Sequence, residues 1–401
     1  MKLGILIHFD PTVKKINSEI MLLNGLVSAL REGGIDPEVE FIACMSRAAN
    51  LASRFDFDFS YSCTSELYKE YDAIIAWNST NMSNFFGGMA SETFVRYYEL
   101  ISFYTNNNVP ILYRSGDSEN EIYDYHDVVM ERADNDEKFA ARNKELIDRL
   151  LAAKPIDYTK FFMLVNGERD IWHWPLETYT VRKPAKFLTK EICDQSLYVG
   201  DDICFQVLEK YHMMKDKLSD VRNDSLFWIG FVESRNAGRK KTFNELLPGV
   251  KVPVTLHTNS DLSIKDVHCI TEGIEGDTVE YFKYLSTWLG YIFIGKGTEN
   301  CAYVNKTVYD AFIARIPLLV YAKTDQRRMI FPDHPQFYFN DLTELEALYH
   351  KLNDPAFNAQ VVAEQAEVLH KRLTAQQDLP RFRSMFAHCS QTEKTKGLLE
   401  F

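Results

Sequence analysis

Three features are missing from this 401-residue sequence: long apolar runs, paired cysteines and clustered metal ligands. No run of about 18 apolar residues occurs, so we expect no membrane-spanning helix. The seven cysteines are scattered without a C-x-x-C pair, which favours buried thiols in a reducing cytoplasm over disulfides. The ten histidines form no H-x-x-x-H motif and no mixed cluster with cysteine, so we expect no structural zinc site.

Basic residues are too few to balance the acidic ones, because 45 lysines and arginines oppose 57 aspartates and glutamates, giving a net charge of −12. Nucleic-acid binding depends on neutralising phosphates, so this balance argues against broad non-specific affinity for nucleic acid. A local basic groove stays compatible with it, since net charge does not describe a patch. The N-terminus has a short apolar run without a small-residue cleavage site, which predicts a first strand rather than a signal peptide, in a cytoplasmic protein.

What the chain does contain is a regular alternation of strand-like and helix-like segments. Its composition, 46% hydrophobic and 25% charged, is globular, and its length favours two domains. The first half predicts strands at residues 2–9, 37–44, 71–77 and 109–113, with helices at 17–32 and 90–106. Strands that alternate with helices of this size indicate a parallel sheet in an α/β domain.

The second half repeats this alternation after a less regular stretch. Within residues 120–222 we predict only an acidic helix at 134–153 and a strand at 160–165. Beyond it we predict strands at 226–231, 252–257, 291–295 and 316–321, helices at 241–247, 278–289 and 304–314, and a helical tail over 342–401. Two doubly wound domains place ligands at the carboxyl ends of their strands. The polar residues that follow each apolar strand are therefore the ones to consider.

Arg235 and Arg239 lie in such a position, between an apolar strand and a predicted helix. A strand-to-helix turn presents free N–H groups and the positive end of the helix dipole, and two guanidinium groups can grip a diphosphate there. Gly238 lacks the Cβ that would obstruct a close approach of backbone to an anion. The same residues also fit a basic helix start on the surface, although cations oppose the dipole at a helix N-terminus.

Three carboxylates follow or open predicted elements near the same edges. Asp310, in a helix after a buried strand, fits a partner for ribose hydroxyls or an ordinary solvated helix aspartate. Asp117 follows a strand of the first domain, where it fits a general base or a Ser-Gly-Asp turn. Glu19 lies at the first turn of the first helix. It could lie beside that base, or its negative charge could simply stabilise the helix N-terminus.

Asp56 and Asp58 form an Asp-x-Asp pair like the one that binds metal in some glycosyltransferases. The alternation Phe-Asp-Phe-Asp-Phe over residues 55–59 is typical of a half-buried strand. We therefore predict a strand here and name no metal ligand in the chain.

Several of these segments, in this order, resemble the DNA β-glucosyltransferases of T-even bacteriophages, which transfer glucose from UDP-glucose to 5-hydroxymethylcytosine in DNA. The most specific is Asn-Phe-Phe-Gly-Gly at residues 84–88, after a strand that ends in Asn-Ser. The Arg-x-x-x-Arg spacing of Arg235 and Arg239 matches the diphosphate-binding arginines of that family. Weaker matches are the Ser-Glu at residues 18–19, the strand at 291–295 with Val-Tyr-Asp at 308–310, and the segment 337–345.

The resemblance implies a GT-B fold, in which two Rossmann-like, doubly wound α/β domains face each other across an interdomain cleft. Residues 1–222 would form the N-terminal, DNA-binding acceptor domain, with an inserted segment around 120–222. Residues 223–375 would bind the nucleotide sugar, and residues 376–401 would form a C-terminal helix that returns to the first domain.

The resemblance also implies roles for residues of this sequence. Asp117 would be the catalytic base, with Glu19 beside it, and the backbone of Ile274 would contact uracil. The nucleotide sugar would be held by this residue and by Ser234, Arg235, Gly238, Arg239, Glu299, Asn300 and Asp310. The acceptor would be held by Asn84, Phe85, Phe86 and Arg114.

Departures from the family pattern keep the sugar and the acceptor open. Thr307, beside Lys306, replaces an expected arginine, and Asp310 replaces a longer glutamate. We expect a UDP-sugar donor carrying glucose or a pentose such as arabinose, double-stranded DNA containing 5-hydroxymethylcytosine as acceptor, no required divalent metal, no membrane partner and a monomer. One alternative is a GT-B enzyme that acts on a small molecule, a lipid or a polysaccharide, which the net charge of −12 favours. Another is a non-catalytic nucleotide-binding or DNA-architectural protein of the same fold.

Overall fold

The structure is a computed structural model, and it describes residues 1–7, 18–43, 59–62, 70–77, 92–114, 122–157, 160–165, 198–219, 222–230, 232, 237–260, 262–274, 277–295, 306–326, 328, 330–376, 379, 380, 383 and 386. Contacts divide the chain into two compact units. The first comprises Met1–Lys14, Leu22–Phe205 and Gln376–Phe401, and the second comprises Lys15–Met21 and Gln206–Ala375.

The first unit contains a parallel sheet of seven described strands in the order β3-β2-β1-β4-β5-β6-β7. The strands are β1 (Lys2–Ile7), β2 (Glu38–Ala43), β3 (Phe59–Ser62), β4 (Ala73–Trp77), β5 (Ile111–Arg114), β6 (Phe161–Val165) and β7 (Tyr198–Asp201). The helices between them are α1 (Ser18–Glu32), α2 (Glu92–Asn106), α3 (Ile122–Asn135), α4 (Glu137–Arg142) and α5 (Lys144–Ala152), and α6 (Asp202–Met213) follows β7. Residues 18–21 of α1 and 206–213 of α6 belong to the second unit.

The second unit contains a parallel sheet of six described strands in the order β10-β9-β8-β11-β12-β13. The strands are β8 (Leu226–Gly230), β9 (Val254–Thr258), β10 (His268–Ile270), β11 (Gly290–Phe293), β12 (Leu318–Tyr321) and β13 (Tyr338–Phe339). Its helices are α7 (Ala237–Leu246), α8 (Thr278–Ser286), α9 (Lys306–Ala314), α10 (Leu342–Leu352) and α11 (Pro355–Gln376).

Both sheets reverse their strand order beside their first strand, as a doubly wound Rossmann-like sheet does. The reversal falls between β1 and β4 in the first unit and between β8 and β11 in the second. Ligands of such sheets bind outside the carboxyl ends of the strands at this switch point. In the second unit the β8–β11 ladder covers only two residue pairs, Leu226 with Gly290 and Phe227 with Tyr291. The two strands therefore pair only near their amino ends.

Buried aromatic side chains fill the core of each unit. In the first, the Tyr71 and Tyr104 rings meet edge to face at 5.8 Å. In the second, Phe227 stacks on Trp288 at 4.6 Å, and Trp228 meets Phe243 at 4.7 Å. Aromatic contacts of these kinds add to the stabilisation that burial alone provides.

Three helices end through the same backbone device. Gly34 after α1, Asn108 after α2 and Arg315 after α9 have positive φ angles of 79°, 60° and 53°. In each case the next residue donates its N–H to a carbonyl in the last turn, as Ile316 does to Ala311 at 3.1 Å. This is the Schellman arrangement, which satisfies carbonyl groups that the helix itself leaves open.

The described elements confirm the predicted α/β class and correct several details. The predicted helix over 134–153 is divided among α3, α4 and α5, because the Asp136 carboxylate accepts from the N–H groups of Lys138 and Phe139 and so starts a new helix. The strand predicted over 55–59 is described only from Phe59 onward, and Asp56 and Asp58 lie outside the described residues. Strands β7 and β10 were not predicted.

Among the described residues, no helix combines the length and the apolar character that crossing a membrane requires.

Candidate functional site

Gly230, the last residue of β8, allows the chain to pass close to two side chains. A Cβ atom at this position would lie 2.8 Å from the Cη2 atom of the Trp228 ring and 3.4 Å from Nη1 of Arg239. The first distance is shorter than carbon atoms tolerate, so the position requires glycine or a displaced ring. The Arg239 side chain therefore folds back over the carboxyl end of β8.

Arg239 is the third residue of α7, so its guanidinium group lies beside the first turn of that helix. Its central carbon is 5.2 Å from the centre of the Trp228 ring, and the side chain is half-buried. The ring face attracts a cation, which offsets part of the repulsion between an arginine and a helix N-terminus. The positive end of the α7 dipole and the arginine together form an environment that favours an anion.

Asp310 lies in α9 and is buried, with 8% of its surface exposed. The Tyr281 hydroxyl of α8 donates a hydrogen bond to its Oδ2 atom at 3.0 Å. Burial raises the pKa of Tyr281 well above its usual value, and the negative charge of Asp310 and this hydrogen bond raise it further. Tyr281 therefore stays protonated and donates to Asp310 throughout the physiological pH range.

Tyr291 of β11 is buried near the charges of both Asp310 and Arg239. Its hydroxyl donates to the carbonyl of Ile229 in β8 at 3.2 Å, beyond the last backbone pair of the two strands. Burial raises the pKa of Tyr291, the charge of Asp310 raises it further, and the charge of Arg239 opposes the rise. A carboxylate and a guanidinium group thus act on one buried hydroxyl at the switch point of the second sheet. Opposite charges at this point suit a ligand with a phosphate at one end and hydroxyl groups at the other.

His257 of β9 supports the chain segment that carries Ile274. Its Nε2 atom contacts the carbonyl oxygen of Glu272, and its Nδ1 atom lies 3.3 Å from the Tyr284 hydroxyl. Ile274 is half-buried and follows β10, which lies two strands away from β8 in the sheet. The imidazole therefore holds the backbone of residues 272–274 at the carboxyl edge of the same sheet.

Asn259 fixes the chain just after β8 from the neighbouring strand. Its side-chain Oδ1 atom accepts from the N–H of Val232 at 2.9 Å. The bond links the segments after β8 and β9, so Val232 is anchored to the chain that follows the neighbouring strand.

The residues predicted from the sequence fall into three groups. Arg239, Asp310 and Ile274 are described with their side chains, and the first two both act on Tyr291. Glu19 in α1, Gly238 in α7 and Arg114 in β5 are described by their backbone positions only. Outside the described residues lie Asn84, Phe85, Phe86, Asp117, Ser234, Arg235, Glu299 and Asn300.

Sequence reasoning missed Trp228, His257, Tyr281 and Tyr291. Their spacing within strands and helices is that of core aromatic residues, and each does bury part of its ring in the core. At the candidate site, Trp228 contributes its ring face to Arg239, whereas the other three contribute polar atoms to hydrogen bonds. No pattern in one sequence distinguishes such a side chain from a packing residue.

The described residues contain no group of three or more histidine, cysteine, aspartate or glutamate side chains that could hold a metal ion.

No protein-family model and no curated protein sequence matches this chain. Solved structures do. A mutant of T4 phage β-glucosyltransferase in complex with UDP-glucose matches 98% of this chain and 100% of its own, with a TM-score of 0.57 and 15% identity. The same T4 phage enzyme with UDP and Mn²⁺ also matches 98% of this chain and 100% of its own, with a TM-score of 0.54 and 16% identity.

A second glucosyltransferase is also similar. An α-glucosyltransferase in complex with UDP and a 13-mer DNA containing a hydroxymethyluracil base has a TM-score of 0.51 and 10% identity, over 98% of this chain and 99% of its own. These likenesses confirm the predicted GT-B fold of two Rossmann-like units. They also confirm the predicted structural resemblance to phage DNA glucosyltransferases.

Proposed function

We propose that this chain is a UDP-sugar-dependent glycosyltransferase that modifies 5-hydroxymethylcytosine in phage DNA. The observation that carries the proposal is that the opposite charges of Arg239 and Asp310 both act on Tyr291 at the switch point of the second sheet. In a GT-B fold similar to that of enzymes solved with UDP-glucose and UDP, these charges suit the two ends of a nucleoside diphosphate.

The donor is bound by the second unit. Arg239 and Arg235 hold the diphosphate, and Ser234 and Gly238 place backbone N–H groups against it. Asp310 accepts hydrogen bonds from the ribose hydroxyl groups, and the backbone of Ile274 contacts uracil. Glu299 and Asn300 complete the pocket on the side of the sugar. The arginines stabilise the negative charge that grows on the departing diphosphate.

The acceptor reacts by in-line displacement with inversion. Asp117, with Glu19 nearby, takes the proton of the hydroxymethyl group, whose oxygen bonds to the anomeric carbon as the bond from that carbon to UDP breaks. A base inside a duplex cannot reach such a site, so the target nucleotide is flipped out of the helix. Asn84, Phe85, Phe86 and Arg114 hold the flipped base. The complex of a structural neighbour with DNA supports this choice of acceptor.

Metal is optional in this proposal. One neighbour complex contains Mn²⁺ with UDP. In this chain the positive charges of the arginines can neutralise the diphosphate without a metal ion. The transferred sugar is glucose or a pentose such as arabinose, because the shorter Asp310 and the exchange of an expected arginine for Thr307 depart from the glucosyltransferase pattern.

A second candidate function is a GT-B glycosyltransferase that acts on a small molecule, a lipid or a polysaccharide. The net charge of −12 favours it, since DNA would be repelled except at a local basic groove.

The test combines a panel of UDP-sugars with duplexes that contain either 5-hydroxymethylcytosine or unmodified cytosine, followed by mass analysis of the nucleosides. We expect a mass gain of one sugar on 5-hydroxymethylcytosine alone, and the size of the gain separates hexose from pentose. Transfer to neither duplex by a protein that binds UDP would favour the second candidate. Asp117→Asn should bind UDP and lose turnover.

A further inference from the structure

We propose that Tyr281 is a positioning residue that orients the Asp310 carboxylate and thereby makes the site selective for a ribonucleotide over a deoxyribonucleotide. The inference rests on the proposed binding of a UDP-sugar in the second unit. It assigns the discrimination of the ribose to a pair of side chains on two different helices, α8 and α9.

The first step is the geometry of the pair. Tyr281 lies one turn into α8, whose start is fixed by the Asp277 carboxylate through hydrogen bonds from the N–H groups of Val279 and Glu280. The N–H of Tyr281 donates to the Asp277 carbonyl at 3.0 Å. The ring meets Phe282 edge to face at 5.1 Å. Backbone and ring are therefore held, so the Tyr281 hydroxyl is a fixed donor.

The second step is what a fixed donor does to a carboxylate. The plane of an aspartate carboxylate rotates about χ2, a torsion whose preferred range of angles is broad. A hydrogen bond from Tyr281 to Oδ2 of Asp310 removes this freedom and turns the carboxylate plane in one direction. Because the bond is charge-assisted, it is among the stronger hydrogen bonds available in a protein. Burial and the neighbouring Asp310 raise the pKa of Tyr281, so its hydroxyl keeps its proton and remains a donor to Asp310.

The third step is selectivity. An oriented carboxylate accepts well from a hydroxyl group in one place, and a ligand that lacks this hydroxyl leaves the buried carboxylate poorly satisfied. A carboxylate that rotates freely loses part of this preference, because it can turn toward water or other donors. Removing the Tyr281 hydroxyl should therefore weaken UDP more than it weakens 2′-deoxy-UDP.

The chain offers a matched control for a purely structural role. The Tyr338 hydroxyl donates to Oδ2 of Asp325 at 2.7 Å, in the same unit and also with a buried carboxylate. Tyr338→Phe removes the same kind of bond as Tyr281→Phe, together with the bond that the hydroxyl accepts from the N–H of Phe331, and leaves Asp310 and its partner unchanged.

The experiment measures by calorimetry the affinity of UDP, 2′-deoxy-UDP and 3′-deoxy-UDP for the wild-type chain, Tyr281→Phe, Tyr338→Phe and Asp310→Asn. For the wild type we expect UDP to bind roughly 10-fold or more tightly than at least one deoxy analogue, the range of a hydrogen bond to a charged group. In Tyr281→Phe the UDP affinity should fall by about 5-fold and that of this analogue by less than about 2-fold. Tyr338→Phe should keep the wild-type ratio, and in an Asp310→Asn background Tyr281→Phe should change nothing further.

Equal losses for UDP and both analogues in Tyr281→Phe would overturn the inference, as would an unchanged UDP affinity. A wild-type chain that fails to bind UDP would instead overturn the proposed function. The thermal midpoints of Tyr281→Phe and Tyr338→Phe, measured without ligand, show that both variants are folded.

Discussion

Two tyrosine–aspartate hydrogen bonds in the second unit, one partly buried and one buried, have similar chemistry and different surroundings. Tyr338 bonds to Asp325 across 13 residues of sequence, and Tyr281 bonds to Asp310 across 29. Asp325 also accepts from the N–H of Ile330 at 3.0 Å, within the segment that leads from β12 to β13. The Asp325 carboxylate therefore joins two later positions of the chain, Ile330 and Tyr338, to the segment after β12.

Asp310 belongs to a different kind of environment. Its charge acts on Tyr291 at the switch point of the sheet, where the charge of Arg239 acts in the opposite sense. The comparison teaches that a buried carboxylate with a tyrosine partner does not by itself mark a site. The two pairs differ because Asp310 acts on Tyr291 together with the opposite charge of Arg239, at the switch point of the sheet.

The largest expected effect comes from removing each carboxylate. Asp310→Ala should lower UDP affinity by roughly 100-fold, because the ribose loses a charged acceptor. Asp325→Ala should instead lower the free energy of unfolding by about 3 kcal/mol, since two buried donors lose their partner. Calorimetry with UDP and urea denaturation measure the two quantities. An equal loss of UDP affinity in folded Asp325→Ala would abolish the distinction between the pairs.

The next effect concerns the arginine beside each pair. Arg239 contacts Trp228, and the exposed Arg328 lies with its guanidinium carbon 5.6 Å from the centre of the Tyr338 ring. Arg239→Lys keeps the charge and loses the planar fork, so UDP affinity should fall by roughly 10-fold. Arg328→Lys should change it by less than about 2-fold, the range of exposed charges. Titrations with UDP decide the matter, and comparable losses in both variants would count against a diphosphate at Arg239.

A smaller effect compares two glycines that both have a positive φ, 157° at Gly230, but differ in how closely other atoms approach them. Gly230→Ala places a methyl group against the Trp228 ring and should shift Arg239, so we expect UDP affinity to fall by about 5-fold. Gly249 has a φ of 83° and no atom near its missing Cβ. Gly249→Ala should cost about 1 kcal/mol of unfolding free energy through strain and leave UDP affinity unchanged. Unaltered UDP binding in Gly230→Ala would show that the turn after β8 does not position the arginine.

The smallest effect is one in which the two pairs should behave alike. Burial raises the pKa of Tyr281 and of Tyr338 above the usual 10.0, with the neighbouring carboxylate adding to the rise in each case. The folded state keeps these protons where the unfolded state loses them, so both contributions are complete below pH 10 and decline as the pH rises above it. Each Tyr→Phe variant should reduce that decline by at most ~1.4 kcal/mol per pH unit. Urea denaturation between pH 9 and pH 11 measures the slope, and an unchanged slope in one variant would show that its tyrosine ionises while folded.

The sequence predicted the order of most strands and helices because periodic apolar residues mark them directly. It failed where a local hydrogen bond outweighs periodicity, as at Asp136, whose carboxylate interrupts a continuous helical pattern. Short strands such as β10 lack enough residues to show a period, and their pairing with neighbours decides them.

The charged residues of the candidate site could be proposed from the sequence, whereas the tyrosines near them could not. Arg239 and Asp310 stand out because charged residues after buried strands are conspicuous in a sequence. Tyr281 and Tyr291 contribute hydroxyl groups from positions that serve the core, and only the fold reveals which end of the side chain matters. Residue type predicts the chemistry of a group, whereas tertiary packing determines its direction.

The short ladder between β8 and β11 has a consequence for how this site can change over time. Past the pair of Phe227 and Tyr291, the link between the two strands is a side-chain hydroxyl on the Ile229 carbonyl instead of a backbone bond. This link between the two strands thus depends on the length of one buried side chain. Tyr291→Phe would remove it and leave both backbone pairs of β8 with β11 in place. Evolution can therefore loosen or keep this part of the sheet by a single substitution, without shifting the register of any strand.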